Sequence, residues 1–434
     1  MKEKLRFFFE GKKVLILGFG REGRSTLELI KDFDCSIGIA DQNLAVTPEL
    51  KQYELFSGEK YLDAISEYEI VMKTPGIALF DKLSDKDRSK ITGQTDLLLR
   101  FCENKIIGVT GTKGKSTTSS LIHHILENCG KSSVLIGNIG IPPLTITGSI
   151  EKDTIIVCEM SCHQLEYVQA SPDIAVFLNI YEEHLDHYVD FNAYRYAKEN
   201  IYRFQSCNDV LIYNAECYND ELDAISSKKI SASQTEKADI YIDDQNIVLY
   251  GESIPYEKIA PKLEGTHNLY NIAVALGTAK ECGCDLESAV EAVSSFNGLE
   301  HRMELVRIVN GVKYINDSIS TIPLAAINAI RAFSADTVII GGMDRGINYD
   351  LLAEYLNTGV VKNIICLPDS GYRIADMLNT DSNIFRVSDM VEAVSKADEV
   401  TKKCCVLSPA AASYGFYKNF EERGRHFKEL VNKL

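Results

Sequence analysis

Along the 434 residues, apolar runs repeatedly break into glycine or polar residues and then into a helical pattern. Val14 to Leu17 leads into "GFGREG", the run from Lys105 leads into "GTKGKST", and "ADTVIIGGMDRG" repeats the arrangement further on. Between them stand "SIGIAD", "TIIVCEMSC", "IAVFLNIYEEHLDHY", "DVLIYNAEC", "VKNIICLPDSG" and "CCVLSPAAASYG". Strands that are apolar throughout, separated by helical stretches, belong to parallel sheets covered on both faces. The chain therefore reads as three α/β units with mainly parallel sheets and boundaries near residues 102 and 300.

Ligands of such sheets bind beyond the carboxyl ends of the strands. Gly18, Asp41, Gly111, Glu159, His184, Gly342 and Ser408 all fall there. Polar sites contributed by three units point to a multi-substrate enzyme with a shared cleft. The net charge of −16 argues against broad attraction to nucleic acid or anionic membrane. The N-terminal "MKEKLRFFFEGKK" has too short an apolar run for a signal peptide, and no later stretch has the length of a membrane span. The 12 cysteines are scattered without C-x-x-C spacing, as free thiols in a reducing cytoplasm would be.

"VTGTKGKSTT" carries the first specific chemistry. It sits between a strand and a helix, as a phosphate loop does, but Val109 occupies the place of the first glycine in the common pattern. Thr110, Gly111, Thr112, Lys113, Gly114, Lys115, Ser116 and Thr117 form the candidate nucleotide loop. Gly111 and Gly114 let backbone N–H groups approach phosphate oxygens, and the helix N-terminus adds partial positive charge. Lys115 has the reach to bridge β- and γ-phosphates, and the Ser116 hydroxyl can ligate Mg²⁺.

"GFGREG" has dinucleotide spacing at Gly18, Gly20 and Gly23, with Asp41 about twenty residues on. Alone it fits a nicotinamide enzyme, although any nucleotide diphosphate suits such a loop. Glu159 and His184 lie at strand ends facing the second loop and suit a metal site. Lys198, in the aromatic-rich helix "FNAYRYAKENIYRF", has two readings. It is a solvated surface lysine, or a desolvated one whose neutral amine can react.

Taken together, "GTKGKST", "EMSCHQLE", "LNIYEEHLDHY", "YAKENIY", "GTHNLYNIAVAL", "HRMELV" and "INDSIS" resemble, in order and spacing, the Mur ligases, ATP-dependent enzymes of peptidoglycan synthesis. Their phosphate loop characteristically lacks the first glycine. "KTPGIAL", "GNIGIP" and "LSPAAASYGFYKNFEERG" resemble the D-glutamate-adding branch. The resemblance implies a Rossmann-like UDP-binding domain over 1–102, a P-loop ATPase-like domain over 103–299 and a Rossmann-like amino-acid-binding domain over 300–434.

It also implies roles. Gly18, Phe19, Gly20, Arg21, Asp41, Thr74, Pro75 and Gly76 would hold the UDP part of UDP-N-acetylmuramoyl-L-alanine, and Asn138 and Gln164 its sugar-peptide part. Asn268 and Asn271 would reach adenine, and Arg302 and Asp317 the phosphates and ribose of ATP. Two Mg²⁺ sites would use Ser116, Glu159, His184 and a carbamylated Lys198, which with Lys115 make the catalytic set. Arg345, Ser413 and Phe420 would hold D-glutamate. A monomeric cytoplasmic enzyme is expected, without nucleic-acid or membrane partners.

One departure bears on the amino-acid pocket. The D-glutamate enzymes commonly carry lysine after "NDS", where this chain has Ile319. Arg345 can still grip a carboxylate bidentately, so an acidic amino acid fits, and L-glutamate remains an alternative. A UDP-sugar binding module without turnover is the reading from another class.

Overall fold

The computed structural model describes residues 1–79, 83–138, 141–183, 187–259, 266–296 and 298–434. The chain divides into two compact units, Met1–Phe296 and Asn297–Leu434. The first unit contains two sheets and the second contains one.

In the first sheet, β1 (Lys12–Leu17), β2 (Cys35–Asp41), β3 (Glu54–Ser57), β4 (Ile70–Lys73) and β5 (Ile91–Thr92) stand in the order β3-β2-β1-β4-β5. Every pairing is parallel. Chain order reverses on the two sides of β1, so the crevice a ligand can enter opens beyond Leu17. "GFGREG" sits there. Val14 to Leu17 are fully buried, as their uninterrupted apolar run requires.

The second sheet has nine strands: β6 (Ile106–Thr110), β7 (Ser133–Gly137), β8 (Ile155–Glu159), β9 (Ile174–Phe177), β10 (Val210–Asn214), β11 (Lys228–Ser233), β12 (Ile240–Ile242), β13 (Asn246–Leu249) and β14 (Glu252–Pro255). Their order is β14-β13-β12-β11-β10-β9-β6-β8-β7. Pairings from β7 to β12 are parallel, whereas β13 and β14 turn back antiparallel. That meander lies on residues too polar and too short to stand out in the sequence. The Asp243 carboxylate closes its first turn by accepting the N–H groups of Gln245 and Asn246.

The second unit packs helices around β15 (Glu304–Val309), β16 (Val312–Asn316), β17 (Thr337–Gly342), β18 (Asn363–Asp369), β19 (Asn383–Arg386) and β20 (Cys404–Leu407). The order is β15-β16-β20-β17-β18-β19. Only β15 runs antiparallel, joined to β16 through Asn310 and Gly311, both at positive φ (50° and 83°), as a tight primed turn demands. The mainly parallel α/β reading is borne out, with one sheet for each of the three expected α/β segments and the first two sheets within one compact unit. No helix among the described residues is long and apolar enough to cross a membrane.

Candidate active site

The phosphate loop leaves β6 at Thr110, whose hydroxyl donates to the Met160 carbonyl (2.7 Å). Gly114 has φ +84° and a side chain there would meet Asn271 Oδ1 at 2.6 Å, so both conformation and space require glycine. The helix Lys115–Asn128 begins immediately after it. Ser116 is buried in its first turn and Thr117 is half-buried beside it. Asn271 and Asn268 share the helix Thr266–Glu281, with the Asn271 amide donating to Asn268 Oδ1 (3.5 Å). Of the pair expected at adenine, Asn271 therefore stands against the loop and Asn268 against Asn271.

Asn179, beyond the end of β9, clamps the loop and was not singled out by sequence reasoning. Its backbone oxygen accepts Thr112 N–H (3.0 Å), its Oδ1 accepts Lys113 N–H (2.8 Å), and its amide donates to the Lys113 carbonyl (3.0 Å). Two lysines converge on the same backbone. Lys115 Nζ donates to the carbonyls of Gly111 and Thr112 (2.8 and 3.0 Å), and Lys198 Nζ donates to Gly111 (2.8 Å). Lys113 instead points outward and pairs with Glu183 (2.7 Å).

Of the two readings for Lys198, the structure places it in the buried one, 1% exposed on the helix Phe191–Arg203. Burial first, then the neighbouring charge of Lys115, brings its pKa down to about 7. Tyr194, one turn earlier on that helix, meets the Thr112 hydroxyl at 2.8 Å.

Glu159 ends β8 and is fully buried. Its Oε1 accepts the Asn138 amide (2.6 Å), while Oε2 has no hydrogen-bond partner among the described residues. A buried carboxylate oxygen left in that state marks the place for a cation or a water. Among the described residues no group of three or more His, Cys, Asp and Glu side chains forms a metal set. His184, the other expected ligand, lies outside the described residues.

The first glycine-rich loop is built by close approach. A side chain at Gly18 (φ +92°) would meet Thr74 Oγ1 at 2.0 Å, and one at Gly23 would meet the Gly18 carbonyl at 2.0 Å. Gly20 has open space in front of it and caps the helix Arg21–Ile30, with Arg21 exposed in the first turn. Asp41 accepts Phe19 N–H through Oδ2 (2.7 Å) and Asn43 N–H through Oδ1 (2.9 Å), bracing the loop. Thr74 donates its N–H to Leu17 (2.9 Å), which carries the Thr74–Pro75–Gly76 turn alongside. Gln164 closes a capping box, its Oε1 accepting Ser161 N–H (2.9 Å).

In the second unit, Asp317 follows β16, accepting the Ser408 hydroxyl (2.7 Å) and Met303 N–H (3.1 Å). Burial raises its pKa. Arg302 is exposed, bracketed by two non-glycine residues at positive φ, His301 (64°) and Met303 (49°). Arg345 is exposed on the loop after β17; Ser413 is buried, and Phe420 starts the helix Phe420–Val431 with its ring edge-on to His301.

Two further residues of this unit escaped the sequence reading. Arg423, 1% exposed, donates to the Ser318 hydroxyl (3.0 Å) and to the carbonyls of Ser318 and Ala411 (2.8 and 3.1 Å), joining two strand-end loops. Burial pushes its pKa down to about 10. His301 meets the Asn316 amide at 2.8 Å and packs so closely on Gly424 that a side chain there would lie 2.2 Å from Nδ1. Ile319 donates its N–H to the His301 carbonyl (3.1 Å).

Comparison with known proteins agrees with this architecture. The Mur ligase middle domain matches residues 109–279. A UDP-N-acetylmuramoylalanine–D-glutamate ligase of Clostridium kluyveri is 33% identical over 98% of both chains. One from Clostridioides difficile is 33% identical, covering 98% of this chain and 99% of its own. Among solved structures, the UDP-N-acetylmuramate–alanine ligase MurC of Thermotoga maritima superposes with a TM-score of 0.56 at 20% identity, covering 97% of this chain and 99% of that one. A MurF ligase of Thermotoga maritima in complex with ADP gives 0.53 at 16%, covering 99% and 97%. These two share the fold, the two curated relatives share a third of the sequence over almost the full length, and the chain belongs to the Mur ligase family.

Proposed function

We propose that this chain is an ATP-dependent amide ligase that joins D-glutamate to UDP-N-acetylmuramoyl-L-alanine through an acyl phosphate. The observation that carries the reading is the Gly111–Ser116 loop, where Lys115 and the buried Lys198 converge within reach of the charge of Glu159, whose Oε2 has no hydrogen-bond partner among the described residues. Residues 1–102, 103–299 and 300–434 are read as the UDP-binding, ATP-binding and amino-acid-binding domains. The enzyme is read as a cytoplasmic monomer.

The alanyl carboxylate attacks the γ-phosphorus of ATP and ADP leaves. The amine of the amino acid then attacks the acyl carbon, phosphate departs, and one proton is released to solvent. Lys115 is assigned to neutralise charge that develops on the transferring phosphoryl group. Asn179 takes the N–H groups of Thr112 and Lys113 and the Lys113 carbonyl, and so fixes the backbone of the loop that receives the nucleotide. Asn268 and Asn271 contact adenine, and Arg302 and Asp317 serve the phosphates and ribose.

Glu159 Oε2 is the atom that fits a divalent cation, because no hydrogen bond from the described residues satisfies it. Ser116, Glu159, His184 and a carbamylated Lys198 would hold Mg²⁺, which supplies charge neutralisation at the phosphates. Support for carbamylation comes from Lys198 itself. With its pKa at about 7, a large neutral fraction exists at neutral pH, and only a neutral amine adds CO₂.

Gly18 to Arg21, Asp41 and the Thr74–Pro75–Gly76 turn are assigned to the UDP moiety, with Asn138 and Gln164 toward the sugar and peptide. Arg345, Ser413 and Phe420 are assigned to the amino acid. Ile319 favours one further reading, an L-glutamate-adding ligase, because the absent lysine removes a fixed charge that could set stereochemistry. The test is phosphate release from ATP and Mg²⁺ with UDP-N-acetylmuramoyl-L-alanine, comparing D-glutamate, L-glutamate and no amino acid. Turnover with D-glutamate alone is expected. Turnover only with L-glutamate would reverse the stereochemistry, and silence with both would overturn the ligase reading.

A further inference from the structure

Beside the first glycine-rich loop, the first unit buries charge that the ligation scheme does not use. Lys73 ends β4 with a side chain only 2% exposed. Its ammonium lies 3.3 Å from Glu166 Oε2, 3.5 Å from the Pro75 carbonyl oxygen and 5.4 Å from the centre of the Tyr167 ring. Glu166 follows the short helix Cys162–Leu165 beyond β8, so this ion pair links the two sheets of the unit. His187 Nε2 meets the same Oε2 at 3.4 Å, and the His187 ring packs against His163 with centroids 4.0 Å apart. On the other side, the charge of Lys73 also reaches Glu22, in the first turn of the helix Arg21–Ile30.

Glu22, Lys73, Pro75, Gln94, His163 and Gln164 are among the residues around a cavity of about 20 Å³, room for one water. A buried ammonium costs several kcal/mol unless it is well paired, and here the pairing is to Glu166 and the Pro75 carbonyl. Lys73 immediately precedes the Thr74–Pro75–Gly76 turn, and Thr74 is also the residue that Gly18 must avoid. The lysine therefore touches the turn by its backbone, by the Pro75 carbonyl and, through Glu166, by the segment after β8 that contains Gln164.

We propose that Lys73 is a positioning residue for the sugar nucleotide, fixing the Thr74–Pro75–Gly76 turn to the segment after β8 through its bonds to Pro75 and Glu166. The inference rests on the assignment of that turn to the UDP moiety. It adds a residue that acts through the turn and touches neither ATP nor amino acid.

The test compares the intact chain with Lys73→Met, Lys73→Arg, Glu166→Gln and the Lys73→Met/Glu166→Gln double variant. KM and kcat are measured for UDP-N-acetylmuramoyl-L-alanine, ATP and D-glutamate, with calorimetric binding of the sugar nucleotide alone. Lys73→Met is expected to raise the sugar-nucleotide KM and Kd about tenfold, about 1.4 kcal/mol, with kcat and the ATP KM within about twofold. Lys73→Arg should recover most of the loss, and the double variant should be no worse than the poorer single one.

A fall in kcat at unchanged KM, a parallel shift in every KM, or additive losses in the double variant would overturn the proposal. Glu166→Gln preserves size and an acceptor oxygen, so it tests the pair even if Lys73→Met unfolds. Wild-type binding that survives Lys73→Met unchanged sinks the proposal alone. A wild-type chain that does not bind the sugar nucleotide sinks the site assignment and the proposal with it.

Discussion

The two glycine-rich loops of the first unit look alike in sequence and differ in what surrounds them. Both follow a buried parallel strand, and both begin a helix. Around Gly18–Gly23 the carboxylates that meet the loop are Asp41, on Phe19 N–H, and Glu22 in the first helical turn. The Arg24 guanidinium packs over the Phe19 ring (4.7 Å) and Lys73 lies behind the adjoining turn, but the groups bonded to the loop backbone are acids. Around Gly111–Gly114 they are the amines of Lys115 and Lys198, which lie on the loop's own carbonyls. Glycine spacing gives a backbone room to approach a ligand, but flanking charge selects it. Carboxylates favour the hydroxyl and N–H donors of a nucleoside, whereas ammonium groups favour a phosphoryl group in transfer.

The contrast breaks most visibly at Lys115. Lys115→Ala removes a cation of the second loop and is expected to lower kcat roughly 100- to 1000-fold, about 3–4 kcal/mol. Calorimetric binding of the sugar nucleotide without ATP should be unchanged. A comparable loss of that binding would mean the two loops are not separate sites.

Glu22 sharpens the comparison through pH. Burial, opposed by a hydrogen bond from Gln94 and by the charge of Lys73, brings its pKa up to about 7 from 4.5. The folded state therefore holds a proton that the unfolded state has released across roughly pH 4.5–7, and stability falls as pH rises through that window. Glu22→Gln removes the penalty and should stabilise by up to about 3 kcal/mol at pH 8, with little effect below pH 4.5. Thermal unfolding at pH 4 to 8 reads the difference. A stabilisation independent of pH would show that Glu22 ionises freely.

Gly114→Ala probes the second loop at smaller scale. A side chain at φ +84° costs about 1–2 kcal/mol, and Asn271 Oδ1 at 2.6 Å must shift. An ATP KM raised about tenfold is expected, with the sugar-nucleotide KM unmoved. An unchanged ATP KM would separate Asn271 from the nucleotide.

Much of this was legible because it is local. Val14–Leu17, Ile106–Thr110 and Thr337–Gly342 are buried along their length, as continuous apolar runs demand, and Gly18, Gly111 and Glu159 sit at strand ends where the topology puts them. What escaped depends on distant partners. Arg423 is buried because Ser318 and Ala411 offer it oxygens, yet charged side chains are normally at the surface, so its sequence neighbourhood carries no sign of that. Asn179 was one polar residue in a recognised motif, and only the fold shows that it clamps the phosphate loop. Lys198 could not be resolved between solvated and buried from its helix alone, because the choice is made by the loop packed over it. The β12–β14 meander is short, and its polar turns read as loop.

The smallest effect is expected at Asp41, which is also where the first loop's electrostatics can be isolated. Its two oxygens accept Phe19 and Asn43 N–H at 2.7 and 2.9 Å, so the carboxylate is already engaged without a ligand. Asp41→Asn keeps one acceptor oxygen and removes the charge, leaving one of the two N–H groups facing an amide. Charge-assisted bonds of this sort are about twice as strong as neutral ones, and the site is partly open to solvent, so a loss of about 1 kcal/mol is expected. That is roughly a fivefold rise in sugar-nucleotide Kd with ATP binding unchanged. If Asp41→Asn instead tightened binding, the carboxylate would be repelling a phosphate at the first loop. The acids there would then tune an anion site rather than a nucleoside site, and the two loops would differ in strength and not in kind.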